Sequence, residues 1–310
     1  MNQIKLYNDY STWIRKQFNE RVQKISVDAG FTCPNRDGTK GLGGCIYCDN
    51  KAFSPTYCSS GKSITQQLNE GIDFFSEKYL AQKYIAYFQS YTNTYADINI
   101  LEKYYNEALS HPKVIGLAIS TRPDCVNDDI LNLISQLSKM HFVTLEFGVE
   151  STSNETLKLI NRCHTFEDSK NAILKASGLG IKIAAHLILG LPGENKKQIV
   201  KHAEIISSLP ISILKLHQLQ IIKDTKLAEL YQQNSEFIKL YTANEYVDLA
   251  IDFIEQLSPD IIIERFTSES PCEKIIAPNW NGLKNFEVVD KIRKRLIERD
   301  TWQGKFYYAK

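Results

Sequence analysis

Three of the seven cysteines lie close together in the chain, at Cys33, Cys45 and Cys48. Four glycines occupy the same segment, and glycine adopts backbone conformations that other residues avoid. The segment can therefore bend enough to bring three thiolates onto one small object. Three thiolates indicate an iron–sulfur cluster, or a zinc site that takes a fourth ligand from Cys58 or His164. A redox pair formed by Cys45 and Cys48 alone is a weaker interpretation, because it leaves Cys33 and the glycines without a role.

The composition narrows the class of protein. The chain has 310 residues, of which 43% are hydrophobic, and a formal net charge of +1. The near-zero charge argues against a strongly basic nucleic-acid-binding module, while leaving room for a local basic patch. The first twenty residues hold no apolar run of the kind that a signal peptide needs, and the run at 181–191 is too short to span a bilayer. We therefore expect a cytoplasmic protein with reduced thiols.

Six near-continuous apolar segments recur along the first 220 residues, each followed by a helical pattern; they span 22–27, 84–88, 114–119, 142–149, 181–189 and 211–219. Apolar strands that alternate with helices indicate a parallel sheet covered on both faces. Six such units fall short of a closed eight-stranded barrel, so we predict an α/β fold with a partial (βα)6 TIM-like barrel over residues 1–220. Residues 221–310, with a further strand near 260–266, are predicted to form a C-terminal α/β extension that packs on this core as part of the same structural unit.

Polar residues and glycines follow the predicted strands where each strand ends. Barrel-type α/β proteins carry their chemistry at the carboxyl ends of strands, and the cysteine segment itself follows the first strand. The candidates are Gln89, Ser90, Ser120, Arg122, Asp124, Glu150, Arg162 and Gly190. A solvated acid for Glu150, a helix-end ion pair for Arg162 and a plain turn for Gly190 are the alternative interpretations. His186 and His217 are expected to line a pocket or to be hydrogen-bonded core residues.

Several of these segments resemble the motifs of one enzyme superfamily; they are 33–39, 88–94, 120–125, 148–151, 190–194, 277–280 and 303–304. Together they resemble the radical S-adenosylmethionine (SAM) superfamily, and more narrowly its YtqA/YhcC-type proteins. That group is similar to the branch that includes the Elongator catalytic subunit and the oxygen-independent coproporphyrinogen oxidases. The first cysteine spacer here has eleven residues, whereas the commonest superfamily spacer has three. Long first spacers are typical of the Elongator branch.

The resemblance implies a [4Fe–4S] cluster bound by Cys33, Cys45 and Cys48. It implies that SAM occupies the iron without a protein ligand and is cleaved by one electron to a 5′-deoxyadenosyl radical. A flavodoxin- or ferredoxin-type donor is the expected source of that electron. The residues implied for SAM binding are Gln89, Ser90, Ser120, Glu150, Arg162 and Gly190. Arg122 and Asp124, on the same rim, are the candidates for contact with the substrate.

For YtqA-like members the resemblance further implies a tRNA substrate, whose wobble carboxymethylaminomethyl-uridine becomes aminomethyl-uridine. Local support comes from a basic and aromatic stretch near the C-terminus; it contains Lys291, Arg293, Lys294, Arg295, Arg299, Trp302, Phe306, Tyr307 and Tyr308. Acidic residues are interleaved with it, which is equally typical of a solvated helix face. The alternatives left open are a radical SAM enzyme acting on a small molecule or a protein, and a non-enzymatic zinc-binding interaction protein.

Overall fold

The structure is a computed structural model that describes residues 5–49, 54–77, 83–268 and 270–308. Seven of the strands in these ranges form one parallel sheet, in the order β1-β2-β3-β4-β5-β6-β8. The strands of this sheet are β1 (Val22–Val27), β2 (Lys83–Phe88), β3 (Val114–Thr121), β4 (Phe142–Glu150), β5 (Lys182–Leu189), β6 (Ile213–Gln218) and β8 (Ile262–Arg265). The predicted partial barrel of parallel strands is confirmed.

Most of the helices follow strands and cover the outer face of the sheet, whereas the first helix precedes β1 and lies on the inner face. The helices are α1 (Tyr10–Phe18), α2 (Ile64–Ser76), α3 (Ile98–Leu109), α4 (Asp128–Met140), α5 (Asn154–Leu159), α6 (Phe166–Gly178), α7 (Lys196–Ser207), α8 (Lys226–Gln233), α9 (Ala243–Glu255) and α10 (Asn285–Glu298). Capping boxes formed by Ser63, Thr165, Asn195 and Thr242 begin α2, α6, α7 and α9, and they satisfy backbone N–H groups that the helices leave free. None of the described helices is long and apolar enough to cross a membrane.

The C-terminal part of the chain completes the sheet. Strand β8 pairs with β6 in parallel, so the strand predicted near 260–266 continues the barrel. A separate antiparallel pair joins β7 (Ile221–Ile222) to β9 (Ile275–Ala277). We propose that residues 1–220 form a core and residues 221–310 an extension of it. Core and extension belong to one structural unit, because strand β8 of the extension hydrogen-bonds to strand β6 of the core.

Helix α1 lies against the inner face of the sheet, near the amino ends of the strands. Its Ile14 side chain packs with Ile85 and Ala118, while Tyr10 and Trp13 pack against a second group on the inner face, formed by Ala184, Ile213 and Ile262. The backbone just before the helix also pairs with β8, through Asp9 and Ile263. The helix therefore fills one end of the curled half-barrel, and the inner space is left open toward the carboxyl ends of the strands.

We predict that Gly116→Ala destabilises the barrel. A Cβ at Gly116 in β3 would lie 1.9 Å from the backbone oxygen of Phe142 in β4, so the two strands would have to move apart. We expect the free energy of unfolding to fall by roughly 1–3 kcal/mol or more, measured by urea denaturation. Gly178→Ala is the matched control, because nothing lies within 4 Å of its added Cβ. Equal urea midpoints for the two variants would contradict this account of the packing of β3 and β4.

Candidate functional site

A cavity of about 610 Å³ occupies the inner space of the half-barrel, at the carboxyl ends of its strands. The three clustered cysteines line it together with five other sequence-predicted residues, namely Gln89, Ser120, Arg122, Glu150 and Arg162. His186 and His217 line it as well, as expected. Ser90, Asp124 and Gly190 lie next to lining residues without being part of the lining. The fold therefore brings most of the predicted site to one place.

The segment that carries the cysteines is held in a series of tight turns. The backbone oxygen of Cys33 accepts hydrogen bonds from the N–H groups of Arg36 (2.8 Å) and Asp37 (3.2 Å), and that of Cys45 accepts from Cys48 N–H (3.0 Å). Gly44, just before Cys45, has a φ of 82°, in the region that favours glycine. The turns explain how cysteines separated by eleven residues reach one cavity.

Three contacts tie this segment to the chain that follows α5. Ile46 N–H donates to the backbone oxygen of Ile160 (3.1 Å), and the buried Asn35 side chain donates to that of Asn161 (2.6 Å). Asn161 in turn donates to the backbone oxygen of Gly44 (2.8 Å). The thiols are thus positioned by residues more than one hundred positions away, on the edge of the barrel between β4 and β5.

Hydrogen-bond donors and positive charges surround the thiols. Arg162 Nη1 lies 3.5 Å from the Sγ of Cys45, and Asn35 Nδ2 lies 3.6 Å from the same sulfur. Burial raises the pKa of Cys48 to about 11 and Cys45 adds to this effect, while Arg36 and Arg162 oppose it. Burial therefore favours the neutral thiol, whereas the neighbouring guanidinium groups favour the thiolate form that a metal ligand requires.

The donor set fits an iron–sulfur cluster better than a zinc site. Neither Cys58 nor His164 lines the cavity: the Cys58 thiol donates to Ser26 O (2.9 Å), and the His164 ring lies against Thr165 O (3.0 Å). In the described part of the chain, no three His, Cys, Asp or Glu side chains converge on a single ion. A four-iron cluster takes each thiolate on a different iron, so its ligands stand around the cluster instead of meeting at one point.

Glu150 and Arg162 form a buried pair at the end of β4. The Glu150 carboxylate lies 3.6 Å from Arg162 Nη2, which also donates to the backbone oxygen of Gly148 (2.7 Å). Burial raises the pKa of Glu150, although the two guanidinium groups of Arg162 and Arg122 oppose this shift. Glu150 also has a φ of 66°, which is uncommon for a residue with a side chain. The solvated-acid interpretation of Glu150 is therefore wrong, because the carboxylate faces the cavity beside Arg162.

Arg122 and Asp124 pair with each other. The guanidinium donates to both carboxylate oxygens at 2.9 Å, and Lys40 adds a third donor at 2.7 Å. Burial works against the ionised carboxylate, but Arg122 and Lys40 outweigh it and lower the pKa of Asp124 to about 2. Arg122 Nη1 is buried without a hydrogen-bond partner and belongs to the cavity lining, whereas Asp124 holds the guanidinium in place.

Two predicted residues contribute through the backbone or the packing around them. Ser90 is buried, with its hydroxyl 3.2 Å from that of Ser54. Gly190 follows β5 with a φ of 95°, and an added Cβ would lie 3.3 Å from the ring of Tyr241. The turn at Gly190 therefore needs glycine for its conformation and for the close approach of this ring.

A layer of buried charges lies on the inner face below the cysteines, and sequence reasoning did not identify it. Glu146 of β4 contacts Lys24 of β1 (2.8 Å) and Lys215 of β6 (2.5 Å), and Glu264 of β8 contacts the same two lysines at 2.7 and 3.2 Å. Burial alone would raise the pKa of Glu146, but Lys215 and Lys24 hold it well below its ordinary value. We call these four residues the floor layer. The signal available in the sequence was a charged residue at an inner position of an apolar strand, as at Lys215.

We predict that His186 makes stability depend on pH. Its Nε2 lies 3.0 Å from the Glu146 carboxylate, while burial, together with the charge of Lys215, lowers the pKa of His186 to about 4. The unfolded chain takes up this proton near pH 6.5, so stability is fully present above pH 6.5 and is lost as the pH falls toward 4. His186→Gln should flatten this dependence by up to about 1.4 kcal/mol per pH unit, measured by urea denaturation between pH 4.5 and 6.5. His141→Gln, outside the cavity, is the control, and an unchanged slope in His186→Gln would contradict the assignment.

Two family models match the chain. The model of the radical SAM superfamily matches residues 33–206, from the first clustered cysteine to α7. The model of the radical SAM C-terminal domain matches residues 211–298. The first match covers more than half of the chain and includes all three cysteines and the carboxyl ends of β2 to β5.

Proteins of similar sequence support the same family assignment. YtqA of Bacillus subtilis is 32% identical over 99% of this chain and 94% of its own length. YhcC of Escherichia coli is 32% identical over 89% of this chain and 88% of its own length. A tRNA uridine(34) acetyltransferase of Methanocaldococcus infernus is 31% identical, over 63% of this chain and 35% of its own length.

Among solved structures, the archaeal Elp3 of Methanocaldococcus infernus has a similar fold. The two structures superpose with a TM-score of 0.68 at 19% identity, over 91% of this chain and 64% of that one. This likeness concerns the fold. On the family models and the full-length relatives, the chain belongs to the radical SAM superfamily and to its YtqA/YhcC-type proteins.

Proposed function

We propose that this radical SAM enzyme acts on the wobble uridine of tRNA, converting carboxymethylaminomethyl-uridine to aminomethyl-uridine. The observation that carries the radical SAM part of this proposal is one cavity with two parts, a rim of three cysteines and strand-end polar groups above a charged floor. A volume of about 610 Å³ is in the range of pockets that enclose a ligand of drug size. The rim supplies groups suited to SAM, and the floor below it leaves a second set of polar groups for a substrate.

We assign the cluster to Cys33, Cys45 and Cys48, whose surroundings fit it. When bound, the cluster and SAM supply the one-electron cleavage that produces a 5′-deoxyadenosyl radical. Arg162 donates toward Cys45 and presents a planar guanidinium to the cavity, which suits the carboxylate of SAM. Glu150 accepts hydrogen bonds and is placed for the ribose hydroxyls. Helix α1 closes the far end of the half-barrel and limits the access of water from that side.

The remaining assigned residues shape the rim. The backbone after β2, at Gln89 and Ser90, offers carbonyl oxygens for the amino group of SAM, and the Gln89 side chain is held by the Ser26 hydroxyl at 2.8 Å. Ser120 is hydrogen-bonded to Tyr87 and Glu146, which orients it toward the cavity. Gly190 turns the chain after β5 beside the cavity and is assigned to the adenine side of SAM through its backbone. Arg122, positioned by Asp124, offers its unpartnered N–H to the substrate.

The support for a tRNA substrate comes from the relatives. The basic stretch near the C-terminus adds none. Three basic side chains on or directly after α10 are ion-paired with acidic residues, namely Lys294 with Asp290, Arg295 with Asp248, and Arg299 with Asp252 and Glu255. This pairing favours the solvated-face interpretation of the helix. The named activity of the tRNA uridine(34) acetyltransferase supports a wobble-uridine substrate, through the part of that protein that this chain matches. We place the enzyme in the cytoplasm, with a flavodoxin- or ferredoxin-type electron donor.

The test is the nucleoside composition of tRNA from cells with and without the gene. Deletion should raise carboxymethylaminomethyl-uridine and lower aminomethyl-uridine, as measured by mass spectrometry of digested tRNA. A plasmid copy should restore the wild-type profile, and a copy carrying Cys45→Ala should fail to do so. Unchanged levels of both nucleosides, in a host that makes them, would overturn the tRNA substrate and favour a radical SAM enzyme acting on a small molecule or a protein.

A further inference from the structure

The inner end of the cavity carries one more positive charge than negative charge. Lys24 and Lys215 of the floor layer balance Glu146 and Glu264, which they contact. Arg265, which follows Glu264 in β8, adds a fifth charge and also lines the cavity. His186 and His217 add none at neutral pH, because burial and the neighbouring cations lower the pKa of both rings.

Arg265 has no carboxylate within ion-pair distance among the described residues. Its Nη2 lies 3.3 Å from Nε2 of His217, and its Nε is buried without a hydrogen-bond partner. A neutral His217 accepts a hydrogen bond from the Arg265 guanidinium through Nε2, but it supplies no negative charge. A guanidinium held inside a protein is unfavourable unless an anion offsets it, and its planar fork matches the two oxygens of a carboxylate.

Each of the other guanidinium groups that line the cavity has a carboxylate or backbone oxygen of the protein as a partner. Arg122 pairs with Asp124 and Arg162 with Glu150, while Arg36 donates to the backbone oxygen of Cys48 at 2.6 Å. These three lie beside the cysteines. Arg265 and its partner His217 belong to β8 and β6, whereas the residues assigned to SAM lie at the carboxyl ends of β2 to β5 or, for Arg162, just after α5. The unbalanced charge is therefore on the side of the cavity that the SAM assignment leaves free.

We propose that Arg265 and His217 form a subsite for a carboxylate of the substrate. The proposal rests on the proposed function, in which this group is the carboxylate of the carboxymethylaminomethyl substituent. The subsite distinguishes substrate from product, because aminomethyl-uridine lacks the carboxylate. Arg265 binds the anion, and His217 holds the guanidinium in position through Nε2.

The first test measures binding without turnover. Two anticodon stem-loops, identical except for carboxymethylaminomethyl- or aminomethyl-uridine at the wobble position, are titrated into reconstituted enzyme with SAM and without reductant. Fluorescence anisotropy should show about tenfold tighter binding of the carboxylate-bearing loop to the wild type. Arg265→Gln should bind both loops equally, and Arg265→Lys should keep part of the preference. Arg15→Gln, an exposed arginine on α1, should keep all of it. The loops carry the same phosphates, so a phosphate contact would not produce the difference.

The second test is independent of tRNA and uses sarcosine, a small carboxylate with a secondary amine. Saturation-transfer NMR on the same holoenzyme should detect sarcosine with the wild type and with Arg15→Gln, and should lose the signal with Arg265→Gln. Iron content and thermal unfolding of each variant verify that it is folded and loaded. If neither loop binds while the sarcosine signal depends on Arg265, the tRNA proposal fails and the subsite stands. If Arg265→Gln leaves both the loop preference and the sarcosine signal unchanged, or if the wild type shows neither, the subsite is overturned.

Discussion

The ion pairs of the floor layer join strands that are far apart in the sheet. Lys24 belongs to the first strand and Glu264 to the last, and their contact of 2.7 Å draws the two edges of the sheet toward each other. Glu146 and Lys215 connect the strands between them. Removing four charges from water is unfavourable by several kcal/mol each, and only close mutual contacts offset that penalty. The layer is therefore sensitive to the loss of any member, because an unpaired charge would remain inside.

The floor layer also separates the cavity into three levels. Below it, helix α1 supplies an apolar base through Ile14 and Trp13. Within it, Tyr87, Ser120 and His186 are oriented by hydrogen bonds to Lys215 or Glu146. Above it, the cysteine segment is anchored to the chain after α5. A bound cofactor at the rim and a substrate at the floor would thus meet in a space lined by polar side chains, which hydrogen bonds and ion pairs hold in fixed positions.

The sequence was sufficient for the barrel and for most of the rim. The six apolar runs predicted strands within a few residues of their ends, because strands buried on both faces are apolar along their length. The three cysteines were singled out by their close spacing in a glycine-rich segment, and Ser120 and Glu150 by their position at strand ends and by the resemblance to the superfamily. These features depend on local pattern and on one general rule of topology.

The rest depends on contacts between distant residues. Lys24 and Glu264 are 240 positions apart, and nothing near either of them in the chain indicates the other. The position of α1 inside the half-barrel follows from its packing on strands from across the sheet, including β2, β3, β5, β6 and β8, and no local pattern indicates it. The pairing of β8 with β6 could not be read from the sequence, because residues 219–261 separate the two strands.

An anaerobic assay decides whether Cys33, Cys45 and Cys48 hold a cluster that cleaves SAM. The protein is reconstituted with iron and sulfide, mixed with dithionite and SAM, and assayed for 5′-deoxyadenosine, with bulk tRNA added in a parallel sample. The account predicts 5′-deoxyadenosine from the wild type and from Cys272→Ala, an exposed cysteine outside the cavity, and none from Cys33→Ala, Cys45→Ala or Cys48→Ala. Zinc without iron or acid-labile sulfide in the wild type, or undiminished 5′-deoxyadenosine from Cys45→Ala, would contradict it.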